Sequence, residues 1–194
     1  MEKVFIIILS LILLTSCDTE ISYHDGYIPY GEIPLNYSLE NAKADGLVVY
    51  ENGSITSGQA DWDAFVSKTE AEIPSMVRLA FYYTLDNQNI SPEYYEEIKD
   101  GYPVLFIQDL SFDGDIYTLF YTEGESEYNY TYKYLKRLVE TPPAFAAFTE
   151  GIYYVLVNNY DVTWAQIQQG MIRARHDTGI DHKIVYTKLI YKNE

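Results

Sequence analysis

Four stretches of this 194-residue chain carry side chains that could do chemistry. In "DLSFDGD" (109–115), Asp109, Ser111, Asp113, Gly114 and Asp115 fall at positions 1, 3, 5, 6 and 7 of an EF-hand-type calcium loop. Calcium needs a bidentate glutamate at position 12 to close its oxygen shell, and that position holds Phe120. The flanks are strand-like, so the stretch reads as a β-hairpin turned at Asp113-Gly114, and no metal site is assigned. "HDTGIDH" (176–182) gathers His176, Asp177, Asp181 and His182, all metal-ligand types. A site needs three or four converging ligands, and nothing elsewhere completes this set. The stretch reads as a polar turn before the last strand.

"YNYTYKY" (128–134) alternates tyrosine with polar residues. Side chains of a strand point to alternate faces, so Tyr128, Tyr130, Tyr132 and Tyr134 are expected on one face. Such a row either packs against a helix or strand, or stacks on sugar rings or an extended peptide. It is the candidate ligand surface. The fourth stretch, "LILLTSCD" (11–18), ends in the only cysteine of the chain. It follows an apolar run from Val4 to Leu14, about half of what a permanent membrane helix requires. That run matches the h-region of an export signal. Leu14-Thr15-Ser16-Cys17 resembles the lipobox of bacterial lipoproteins. The resemblance implies cleavage before Cys17 and a diacylglycerol on its thiol, hence a membrane anchor at the extracytoplasmic face.

Beyond these stretches the chemistry is sparse. There is no Gly-x-Ser-x-Gly elbow, no phosphate-binding glycine loop and no His-Glu-x-x-His pair. No catalytic residue and no cofactor is assigned. Acidic residues number 29 against 13 basic, a net charge of −16, which repels phosphate backbones and argues against nucleic acid as a partner. With one cysteine, an intrachain disulfide is excluded, and stability must come from the core. Tyrosine, at 21 residues, is the outlier, and it combines large apolar area with a polar tip.

The elements follow from pattern and punctuation. Residues 1–16 read as the signal peptide, and 17–36, with scattered prolines, glycines and tyrosines, as a tether. Residues 37–194 read as one domain. Ser38 caps a short helix closed by Gly46. "LVVY" (47–50) is a strand turned at Asn52-Gly53. Trp62, Phe65, Val66 and Ile73 mark an amphipathic helix over 59–73 that Pro74 stops. Residues 75–85 form a strand, and Ser91-Pro92 opens a helix that Gly101 closes. Strand-like runs follow at 103–110, 115–122 and 127–139, the last broken by Pro142 and Pro143. After a strand at 152–159, Thr163 and Gln166 have capping-box spacing. Behind them Trp164, Ile167, Met171 and Ile172 mark one helix face, and 182–192 is a final strand. Helices among strands without regular βαβ alternation predict an α+β fold, a mostly antiparallel sheet with three to four short helices.

"YSLENAKADGLVVYENGSI", "MVRLAFYYTLD", "DLSFDG" and "YKYLKRL" resemble small lipoproteins of Firmicutes in families of unknown function. The shared features are Ala42, Gly46, Arg78 and Lys133-Tyr134-Leu135. The resemblance implies an exported, anchored α+β domain and carries over no activity. The expectation is a non-catalytic binding or scaffolding domain at the cell envelope, with an envelope protein, peptide or carbohydrate as partner. The alternative is an envelope hydrolase using carboxylates or a metal near His176 and His182.

Overall fold

The computed structural model describes residues 26–86, 90–172 and 179–192. The leader 1–16, Cys17, His176 and Asp177 lie outside the described residues. In chain order the elements are α1 (Leu39–Ala44), β1 (Val48–Glu51), β2 (Ser54–Ser57), α2 (Gln59–Glu70), β3 (Ser75–Tyr83), α3 (Pro92–Ile98), β4 (Val104–Phe112), β5 (Tyr117–Glu123), β6 (Ser126–Tyr132), β7 (Tyr134–Glu140), β8 (Phe148–Val157), α4 (Trp164–Ile172) and β9 (His182–Tyr191). The chain is an α+β domain. One sheet has the order β2-β1-β3-β4-β5-β6 and the other β7-β8-β9. Among the described strands only β1 and β3 pair in parallel; that pairing needs a crossover, which runs through α2.

Local signals set several boundaries. The Ser38 hydroxyl accepts the Asn41 amide at 3.2 Å, and the Asn41 side chain accepts the Ser38 amide in return. Thr163 and Gln166 make the same reciprocal pair ahead of α4. Asn52 and Gly53 both take positive φ, as a two-residue hairpin turn requires. Gly58 precedes α2 at φ +77, and a Cβ there would lie 2.4 Å from the Leu47 carbonyl oxygen.

Three expectations need correction. The run 127–139 is two strands, because the chain leaves the first sheet at Lys133, whose amide donates to Asn158 Oδ1 at 3.1 Å. Its alternation passes through Lys133 unbroken, so the break has no local signal. Ile73 lies beyond the end of α2 and is exposed, since the helix stops at Glu70 and Glu72 takes a positive φ. Met171 is exposed as well, and Ile167 is the buried anchor of α4.

The main core lies between one face of the first sheet, α2 and the second sheet. Trp62 on α2 stacks on Tyr186 of β9, centroids 4.5 Å apart, with its edge toward Tyr154 of β8 at 5.2 Å. The Tyr186 hydroxyl donates to Gln59 Oε1 at 2.8 Å, and Tyr50 of β1 accepts the Thr187 amide. The first bond ties the second sheet to α2 and the second ties it to the first sheet, through aromatic tips whose rings are buried, the dual use to which tyrosine is suited. The far face of the second sheet, with Leu138, Val155 and Val157, is covered by Val162 and Ile167. The far face of the first sheet carries Val49 and Ala80 beneath Ala42, Tyr27, Tyr37 and Leu39. Among the described residues, no helix is long and apolar enough to cross a membrane.

Candidate functional site

Residues 26–36, expected as part of a tether, are instead strapped to the far face of the first sheet. The bolt is Arg78 of β3, only 2% exposed. Its Nε and Nη2 donate to the two carboxylate oxygens of Asp109, the cross-strand neighbour on β4, at 2.6 and 2.8 Å. Its remaining nitrogen, Nη1, donates to the Ile28 carbonyl at 2.7 Å. The guanidinium also lies 5.3 Å from the Tyr27 ring centre and 5.6 Å from that of Tyr30. The Tyr30 hydroxyl donates to the Ile107 carbonyl and accepts the Thr122 amide, while its ring meets Phe120 edge-on at 4.9 Å. The strap has no helical or strand period because side-chain tips and single carbonyls hold it. That is why its pattern reads as unstructured.

Asp109 is therefore committed to Arg78, and Ser111 lies inside β4. The five residues of the calcium-loop pattern form a hairpin instead. Asp113 Oδ1 accepts the amides of Ile116 and Asp115 at 2.8 and 2.9 Å, and those bonds hold its carboxyl below the usual carboxylate range. At the other cluster, Asp181 Oδ1 accepts the Tyr132 hydroxyl at 2.9 Å, and His182 Nδ1 sits 2.7 Å from the Ile180 carbonyl. No group of three metal-ligand side chains converges among the described residues.

The row of four tyrosines is not one surface. Tyr132 is 1% exposed and belongs to the main core, its hydroxyl fastened to Asp181. Burial, then that bond, pushes its ionisation well above the usual tyrosine range. Tyr134 lies in the second sheet and turns toward Tyr160, centroids 5.4 Å apart. Tyr128 and Tyr130 remain together on β6, the last strand of the first sheet, and gain a third partner that the row did not reveal. Tyr121 of β5 pairs directly with Tyr128 across the hairpin. Tyr121 lies 5.0 Å from Tyr128 and 6.1 Å from Tyr130, and Tyr128 lies 6.4 Å from Tyr130. All three ring planes are within 28° of parallel. Each ring is half-buried. Lys183 of β9 places its ammonium 4.1 Å from the Tyr130 ring centre. The cross-strand register would have found Tyr121, given the hairpin turn at Gly124.

A concavity of about 580 Å³ opens where the chain crosses from β6 to β7. Its aromatic lining runs from the buried Tyr117 through Phe112 and Tyr154 to Tyr134 and the exposed Tyr160. Burial pushes the Tyr117 and Tyr154 hydroxyls up. No protein-family model matches the chain, and neither a curated protein nor a solved structure gives a significant match.

Proposed function

We propose that this chain is a non-catalytic binding domain held at the extracytoplasmic face of a membrane by a lipid on Cys17, and that it contacts an envelope carbohydrate through Tyr121, Tyr128 and Tyr130. The observation that carries the reading is the near-parallel set of three half-buried rings on a terminal strand. Aromatic faces carry negative charge density, against which the C–H faces of a sugar ring stack, and a flanking ammonium such as Lys183 donates to hydroxyls. Tyr121 and Tyr130 also pack at the edge of the main core, which fixes the set of rings while leaving part of each accessible. The net charge of −16 suits a neutral polymer better than a polyanion.

The strap adds a consequence for the anchor. The chain is held from Ile28 onward, so only about ten residues separate it from Cys17, a reach of at most roughly 35 Å. The domain therefore works close to the bilayer. Affinity electrophoresis through gels containing envelope polysaccharide tests the reading. Tyr128→Ala should abolish the retardation seen for the parent chain. Equal migration of both through sugar-free and sugar-loaded gels would overturn it. In cells, Cys17→Ser should release the protein or leave it unprocessed, and unchanged detergent-requiring anchoring would refute the lipid.

A further inference from the structure

The cleft at the β6–β7 crossover has a charge pattern that its aromatic lining does not explain. Glu70 and Glu72, at and just past the end of α2, and Asp115, in the β4–β5 turn, line it with three carboxylates. Lys133, at the crossover, and Arg137, on β7, line it with two cations. None of the five makes an ion pair among the described residues. Opposite charges that line one concavity without pairing are held apart by more than bonding distance. Tyr154 shares that lining with Glu70 and Arg137. The lysine ammonium is 5.6 Å from the Tyr134 ring centre, which keeps it at the aromatic wall. The volume falls within the 300–1,000 Å³ range of small-ligand sites.

We propose that this cleft binds a small zwitterion with an apolar side chain, a short peptide unblocked at both ends, with its ammonium toward Glu70, Glu72 and Asp115 and its carboxylate toward Lys133 and Arg137. The tyrosine rings between the two sets take the apolar side chain. The site is separate from the three-ring platform, and its occupation does not depend on that platform. A ligand carrying one charge leaves the opposite set unmatched, so discrimination requires both ends.

The test is titration of the detergent-solubilised full chain with alanyl-phenylalanyl-alanine, followed by amide NMR shifts and calorimetry. The free peptide should give saturable shifts around Tyr134 and Arg137. N-acetylation or C-amidation of the peptide should each weaken binding about tenfold, one lost charge contact being worth about 1.4 kcal/mol. Lys133→Ala and Glu70→Gln, both at exposed positions, should weaken it similarly, while Tyr128→Ala leaves it unchanged. Absence of saturable shifts overturns the proposal. So does equal binding of the capped peptides, or a loss that follows Tyr128→Ala and spares the cleft variants.

Discussion

Replacing Arg78 by alanine should unfasten the strap and leave Asp109 buried without its partner. Three charge-assisted or carbonyl-directed bonds disappear together, two to Asp109 and one to the Ile28 carbonyl. The paired side chains are 3% and 13% exposed, so the surviving carboxylate is shielded from most solvent. Removing one partner of a buried pair costs about 3–5 kcal/mol, chiefly through the uncompensated charge left behind. For a domain of this size that corresponds to a fall in Tm of about 6–20 °C. The double variant Arg78→Met, Asp109→Leu removes both charges and should recover much of the loss, because well-packed apolar replacements of buried pairs are often near neutral. It restores no donor for Ile28. The strap should therefore stay loose even where stability returns. The assays are urea melts of the two variants beside limited proteolysis. Cleavage between Tyr27 and Leu35 should appear in both variants and be absent from the parent. A single variant within about 1 kcal/mol of the parent, or one whose strap resists protease, would refute the reasoning.

Gly58→Ala should cost at least about 2 kcal/mol in chemical denaturation, because φ is +77 there and the new Cβ would meet the Leu47 and Val48 backbone. Tyr132→Ala should cost about 3–5 kcal/mol, as buried aromatic truncations do, against about 1 kcal/mol for the half-exposed Tyr128→Ala. Equal losses in paired melts would return both residues to the core. Alkaline pH should destabilise the fold. Tyr121 and Tyr153 are each pushed up to about 12, by burial first and then by neighbouring hydroxyl or carboxylate groups, and Tyr50 is raised further by burial. Their stabilising contribution is fully present below pH 10, the unfolded value, and is lost as pH rises through the folded ones. Melts between pH 9 and 12 should show a steep decline, and a flat profile would contradict it.

The signals that survived from sequence to structure are local ones. Asn52-Gly53, Ser91-Pro92 and the Thr163–Gln166 pair act within three or four residues, and each lies where its chemistry placed it. The hairpin at Asp113-Gly114 is the same kind of signal, satisfied by Asp113 accepting two amides of its own turn. What was hidden depends on partners far along the chain. The break at Lys133 is fixed by Asn158 at the end of β8, so the tyrosine row looked continuous. The strap is fixed by Arg78, fifty residues beyond the carbonyl it holds. The third ring of the platform comes from a neighbouring strand, and the cleft draws its charges from four separate places in the chain.

The proposed function requires the three near-parallel rings to meet a sugar polymer. The direct measurement is a titration of the solubilised chain with envelope polysaccharide fragments, watching the ring-proton resonances of its tyrosines. The ring protons of Tyr121, Tyr128 and Tyr130 should shift and saturate together while those of Tyr132, whose hydroxyl is held by Asp181, stay still. Unmoved platform rings, or shifts confined to other tyrosines, would contradict the assignment.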